Sequence, residues 1–457
     1  MNRVASRAAI AVLLALLLVA GMGFFVAEYA MNAKDWVMFA GSPHVYSGGN
    51  IGCGTVEDAD DVMLLDMNNG RTYASSESIR KATVHWLGDR YGSISAPALP
   101  AHAADLAGYD LVNGVYAYGN AAGVAKLTLF SRVQTAALEA IGDKKGTVAV
   151  YNYKTGQLLC AVTTPSYDPD HVPDIDGDDS GKFEGVYVNR FTQSTYIPGS
   201  IFKIVTLAAA LEEFEDAEEM TFNCAGELSL TGNKITCEGV HGNQSLKEAF
   251  RNSCNCAFAE LAVKIGRENM EAYVERFGIN EPVTFDGIVT AQGNYEAGYS
   301  DIDIGWSGVG QFNDQVNPCS FLAFVGAIAN GGKGADPYVV ENVLVGNNRT
   351  YTAKTQMGEQ VVSQKTARIV AEYMRNNVQS KYGDANFPGL TVCAKTGTAE
   401  VGGDKRPNAM LAGFNADSNC PLAFIICVED GGYGAEVCMP IASKVLSACV
   451  SVLESNG

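Results

Sequence analysis

Apolar and polar residues alternate along this chain on three scales. Residues 8–27 form an uncharged run dominated by Ala, Leu, Val and Phe. At about 1.5 Å per residue such a run makes a helix about 30 Å long, the thickness of one bilayer core. From 32 to 126 the pattern breaks into short pieces separated by Gly, Asp and Asn, such as Val62-Met63-Leu64-Leu65 ahead of Asn68-Asn69-Gly70. That stretch predicts a small domain of its own. Beyond 127 the elements lengthen. A strand enters a helix at 132–140, and two strands between 146 and 162 flank a turn at 152–156. Ser200 opens a helix to Leu211 that is apolar on every face, which suits a helix inside a large core. Residues 256–262 show helical amphipathicity, 321–329 an apolar buried helix, 390–395 a strand, 410–415 with 423–429 a hairpin, and 437–453 a closing helix. The pattern predicts an α+β protein: a membrane anchor at 1–31, a small domain at 32–126, and a main domain at 127–457 in which an antiparallel sheet is flanked by helices.

Charge narrows the function classes. The net charge is -19, with no clustered Lys or Arg, which excludes a nucleic-acid surface. Arg3 and Arg7 precede the apolar run while Glu28 and Asp35 follow it, so the N-terminus is expected in the cytoplasm and the rest outside. The run exceeds the usual apolar core of a cleaved signal, which favours a retained single-pass anchor. Five scattered histidines and twelve cysteines show neither H-E-x-x-H nor C-x-x-C, so no metal and no cofactor is expected. Cys224 and Cys237 flank a turn-rich excursion and are the best disulfide candidates, with two free buried thiols as the other reading. Cys254 and Cys256 read as packing groups rather than ligands. The segment Asp174-Ile175-Asp176-Gly177-Asp178-Asp179 has Asp179 where a calcium loop needs Gly, so residues 168–179 are expected to be a solvated acidic loop.

Candidate chemistry starts at Ser200. Lys203 lies one turn further on the same helix face and is the only charge in its apolar run, so it must be paired or functional. A serine hydroxyl becomes a nucleophile when a base takes its proton, and burial beside a helix N-terminus lowers a lysine pKa towards that task. S-x-x-K also arises at Ser78 to Lys81, in a polar segment with no apolar helix behind it. Further along come Ser253-Cys254-Asn255 and then Lys395-Thr396-Gly397-Thr398 in the strand-like run. A second K-T-G, Lys154-Thr155-Gly156, precedes Ser200 and reads as a hairpin turn.

The ordered set S-x-x-K, S-x-N, K-T-G resembles the signature of penicillin-binding proteins and serine β-lactamases. Gly146-Thr147-Val148-Ala149-Val150, Tyr196-Ile197-Pro198-Gly199 before the serine, Gly308-Val309-Gly310-Gln311 and Ala412-Gly413-Phe414 extend the likeness to the class B penicillin-binding proteins over residues 125–457. The resemblance implies the penicillin-binding-protein/β-lactamase-like fold on a pedestal, although the Arg-Gly-x-Ile-x-Asp-Arg element usual past the membrane is only partly kept at Gly54 to Asp58. It implies a D,D-transpeptidase in which Ser200 is acylated, Lys203 takes its proton, Ser253 and Asn255 relay protons and orient Lys203, and Lys395 adds positive charge. Thr396 and Thr398 would hold a terminal carboxylate, the Ser200 and Thr398 N–H groups would form the oxyanion hole, and Gly397 would leave room for substrate along the strand. Ala394 and Met410, where many relatives carry Gly and Trp, are expected in the cleft walls. The implied partners are peptidoglycan stem peptides ending in D-Ala-D-Ala, β-lactam antibiotics and a membrane glycosyltransferase. A D,D-carboxypeptidase or β-lactamase-like hydrolase shares the motifs; a non-enzymatic scaffold or penicillin sensor would not need all five polar groups.

Overall fold

In the computed structural model, which describes residues 2–39, 41–115, 122–403 and 405–456, the apolar runs of the main domain assemble on a five-stranded antiparallel sheet. Its strands lie in the order Val392–Ala399, Asn408–Asn415, Leu422–Val428, Gly146–Asn152 and Leu158–Thr164. The predicted turn at Lys154 to Gly156 joins the last two, and the hairpin expected near 410–429 is the centre of the sheet. These strands read as unbroken apolar runs because both faces are covered. Ala149, Tyr151, Met410, Ala412 and Ile425 point to the core around the Lys203–Glu213 and Pro318–Ala329 helices. Their neighbours Val148, Val150, Leu411 and Ile426 point to the helices Ser131–Ile141 and Gly434–Asn456 on the other side.

A second, six-stranded sheet runs Asn348–Thr352, Val340–Val345, Val124–Leu127, Thr55–Glu57, Met63–Asp66, Thr72–Tyr73. Four of its strands come from the 32–126 region, but two come from a hairpin more than two hundred residues later. Just before that hairpin the chain is stitched to the edge strand of the large sheet: Tyr338 donates its N–H to Gly156 O at 2.8 Å and accepts from Leu158 N at 3.0 Å. Residues 40 and 116–121 of the expected small domain lie outside the described residues.

The loop at 168–179 is not uniformly solvated. Asp168 is buried in a two-pronged ion pair with Arg80, both N···O distances being 2.7 Å, while Asp170 pairs with Arg90. A carboxylate taken out of water needs such a partner, and here it ties the loop to the Glu77–Leu87 helix. Lys81, of the other S-x-x-K, lies on that helix and pairs with Glu77 at 2.5 Å. At the N-terminus, residues Arg3–Val37 form a helix apolar and long enough to cross a membrane, exposed along its apolar run, with Ala33 buried and Val37 packed on the core near its end. The closing helix passes the same test of length and composition, but packs one face on the large sheet.

Candidate active site

Pro198 and Gly199 set the geometry of the nucleophile. Gly199 has φ +53°, and a Cβ there would sit 2.6 Å from Thr398 O; only glycine takes that conformation at no steric cost. The chain then winds through the 3₁₀ turn Gly199–Ile201 into the helix Lys203–Glu213. Ser200 thus lies in the first turn, where N–H groups are free of the helical ladder. Lys203 is 0 % exposed. Its Nζ lies 3.0 Å from Ser200 Oγ, 2.6 Å from Ser253 O, 2.7 Å from Asn255 Oδ1 and 3.3 Å from Ser253 Oγ.

A break between two helices supplies those partners. The helix Leu246–Asn252 opens on a capping box, Ser245 with Glu248, and ends at Ser253, whose φ of +56° is left-handed. A non-glycine residue there costs about 1–3 kcal/mol, which the surrounding packing must offset. In return, both the carbonyl and the hydroxyl of Ser253 face Lys203. Cys254 caps the next helix, Asn255–Ile265, so Asn255 sits at its first turn with Oδ1 on Lys203 and Nδ2 donating to Thr236 O at 2.9 Å.

Lys395, 1 % exposed, enters from the edge strand of the large sheet. Its Nζ donates to Ser253 Oγ and Thr396 O, both at 2.9 Å. Ser253 Oγ therefore bridges two buried lysines. Burial pulls the Lys203 amine down to about 8, with Cys237, Cys254 and Glu238 opposing and Lys381 assisting. Burial and then the neighbouring Lys203 charge hold Lys395 well below the ordinary lysine range. Two ammonium groups sharing one hydroxyl repel, so the pair favours a single charge. A neutral Lys203 keeps two N–H donors for Ser253 O and Asn255 Oδ1, and its lone pair is left for the Ser200 proton.

The sequence-predicted residues Ser200, Lys203, Ser253, Asn255 and Lys395 thus meet in one place. Thr398 joins them on the wall of a cleft of about 970 Å³ also lined by Ser200, Asn255, Glu238, Trp306, Phe312, Glu400, Arg406 and Tyr433. Two expectations change. Thr396 has its hydroxyl engaged by Tyr382 Oη at 2.9 Å, and its N–H donates to the same oxygen at 3.2 Å, so this threonine is bound to a half-buried tyrosine of the helical turn Val378–Tyr382. At Gly397 an added Cβ would lie 2.9 Å from Pro198 O, so its absence lets the strand pack on the nucleophile's turn. Ala394 and Met410 are wholly buried and outside the cleft lining, on opposite faces of the large sheet: Ala394 packs on the side of the closing helix, and Met410, paired with Gly397, on the side of the nucleophile's helix. No local pattern marked Tyr382 or Glu238, which reach the site from separate loops.

All twelve cysteines are free. Cys224 and Cys237, expected as a disulfide pair, are unbonded. With Cys254 and His241 they form a cluster whose Sγ and imidazole nitrogen atoms lie within 4.8 Å of one another. Cys254 is accordingly more than the packing group its sequence context suggests.

Residues 146–447 match the family described as penicillin binding protein transpeptidase domain. The chain is 29% identical over 352 residues to the peptidoglycan D,D-transpeptidase PbpA of Mycolicibacterium smegmatis, covering 71% of this chain and 72% of that protein. Penicillin-binding protein A of M. tuberculosis, solved as a ceftriaxone acyl-enzyme complex, superimposes with a TM-score of 0.75 at 25% identity over 87% of this chain and 98% of that one. The D,D-transpeptidase domain of a peptidoglycan glycosyltransferase from Eggerthella lenta gives 0.74 at 26% identity, over 88% and 98%. The match spans well over half of the sequence and holds all three motifs in order: the chain belongs to the penicillin-binding protein transpeptidase family.

Proposed function

We propose that this protein is a serine D,D-transpeptidase that cross-links peptidoglycan stem peptides through an acyl-enzyme on Ser200 and is acylated by β-lactams at the same atom. The observation that carries the reading is a wholly buried amine, Lys203 Nζ, 3.0 Å from Ser200 Oγ and held by two carbonyl acceptors. Lys203 takes the Ser200 proton as Oγ attacks the carbonyl carbon of the penultimate D-Ala, and the oxyanion forms against the N–H groups of Ser200 and Thr398. The C–N bond breaks as the proton passes from Lys203 through Ser253 Oγ to the departing D-Ala amine. An amine of a second stem peptide then attacks the ester, gives its proton back along the same path, and restores Ser200. Lys395, with Thr398, draws the terminal carboxylate of the donor, whose charge favours a protonated Lys395 and a neutral Lys203. Thr396 acts through Tyr382 to fix the strand.

The apolar helix is the membrane anchor, with Arg3 and Arg7 on the cytoplasmic side and the catalytic domain outside. Residues 32–126, joined by the 340–352 hairpin, form the pedestal. A membrane glycosyltransferase that polymerises glycan strands is the partner that family membership favours. The test is labelling of the full chain in detergent with a fluorescent penicillin. A stable adduct that Ser200→Ala abolishes is expected; rapid release of the label would make the protein a β-lactamase, and no adduct on folded wild-type chain would refute acylation.

A further inference from the structure

Against the back of Ser253 and Asn255 the fold gathers four side chains that this reaction does not use. Cys224 ends the strand Thr221–Cys224, Cys237 follows the strand Asn233–Thr236, His241 precedes the strand Gly242–Ser245, and Cys254 caps the helix Asn255–Ile265. Pairing of Cys224 with Gly242 brings the first and third of these segments together. Cys237 Sγ lies 3.9 Å from Cys254 Sγ and 3.6 Å from His241 Nδ1. In a tetrahedral zinc site, with Zn–S near 2.3 Å and Zn–N near 2.1 Å, the S···S edge is about 3.8 Å and the S···N edge about 3.6 Å. A disulfide would need its sulfurs about 2.0 Å apart. Two backbone N–H groups point at the sulfurs, Asn255 N at 3.3 Å from Cys237 Sγ and Ala257 N at 3.5 Å from Cys254 Sγ, as outer-shell donors do around metal thiolates. Cys224 and Cys254 are buried while Cys237 and His241 are half-buried, which leaves a way in for an ion.

We propose that Cys224, Cys237, His241 and Cys254 bind one Zn²⁺, and that this ion clamps the segment presenting Ser253 and Asn255 to Lys203. Three thiolates and one imidazole form a closed structural donor set, with no position left for catalytic water. Binding releases the three thiol protons to solvent. The clamp acts through short links: Cys254 is covalently next to both Ser253 and Asn255, Asn255 N rests on Cys237 Sγ, and Asn255 Nδ2 on Thr236 O. A left-handed Ser253 between two helices is a conformation that needs such outside support. The ligands are positioning residues and touch no substrate.

The clamping role rests on the acylation reading above, while the metal site does not, and the test separates them. Full chain purified in detergent is analysed for metal by mass spectrometry and for thiols under denaturing conditions, then labelled with fluorescent penicillin. About one zinc per chain is expected in wild type and in Ser200→Ala, which loses the label but keeps the metal. Cys224→Ser should lose the metal and label about tenfold or more slowly. His241→Ala should lose zinc, and His241→Cys, which makes a four-thiolate set, should regain both zinc and labelling; this pair decides the question if Cys224→Ser fails to fold. Cobalt in place of zinc should give the absorption of a tetrahedral thiolate complex. A wild-type chain that takes up no zinc when supplied with it, or that carries a disulfide among these cysteines, overturns the site. Full-rate labelling of a metal-stripped folded chain overturns the clamp.

Discussion

The pH dependence of acylation follows from the burial of Lys203 and can be worked through. An exposed lysine near 10.5 would be almost wholly protonated at neutral pH; burial brings Lys203 down to about 8. Its neutral fraction is then about one tenth at pH 7, one half at pH 8 and nine tenths at pH 9. If the neutral amine is the base, the second-order rate of labelling by a fluorescent penicillin should rise about tenfold from pH 7 to pH 9, with a midpoint near 8. Lys203→Met should lower the rate at every pH by about 10²–10⁴-fold and leave no midpoint there. The same shift acts on stability. Between about 8 and 10.5 the unfolded chain binds a proton that the folded chain does not, so unfolding free energy rises with pH through that window, by roughly 3 kcal/mol from this group alone. Below 8 both states are protonated and the full cost of burying the charge remains. A flat labelling profile between about pH 6.5 and 9, or a midpoint near 10, would refute the view that Lys203 is the base.

Gly199→Ala should abolish labelling at neutral pH, since its Cβ would be driven to 2.6 Å from Thr398 O and the Ser200 turn would have to move; fluorescent penicillin on a gel reads this directly. Tyr382→Phe removes the oxygen that engages both Thr396 Oγ1 and N, leaves a part-buried N–H without that partner, and should cost about 1 kcal/mol in thermal unfolding with slower labelling. Arg80→Ala removes the two-pronged partner of the buried Asp168 carboxylate, which keeps the Asp170 N–H and His171, and should destabilise by about 3 kcal/mol in denaturant titration; replacing Asp168 by Asn in the same chain should recover part of the loss. Because Arg80 holds the Asp168 carboxyl well below the usual range, that pair stabilises fully above the normal carboxylate pKa, and its contribution is lost as pH falls from there through the lower, folded value.

What could be read in advance was the chemistry carried by local pattern. Lys203 in an apolar helix and Lys395 in an apolar strand stand out because a buried charge is rare, and their order with Ser253 and Asn255 separates them from Lys81 and Lys154, which the fold leaves paired with Glu77 on the open side of a helix and in a turn. What escaped notice were groupings made by the fold. Cys224, Cys237 and Cys254 each stood out alone, but not their meeting with His241, because the four lie at the ends of different elements and no spacing rule for consecutive ligands applies. Arg80 and Asp168 sit in separate regions, and an acidic loop gives no sign of which carboxylate will be buried. Ala394 and Met410 illustrate register: a one-residue step along a strand decides which face of the sheet a side chain takes, and composition does not fix that step.

The hairpin at 340–352 bears on where the chain can be cut. Its strand Val340–Val345 is bonded to Val124–Leu127 of the pedestal sheet, and the residues just before it are bonded to the edge of the catalytic sheet. The two sheets are therefore joined by rows of backbone hydrogen bonds as well as by the covalent chain that leaves Leu127. A chain begun near 127 would thus leave the strand Val340–Val345 without its partner Val124–Leu127, and would lose more than the residues removed.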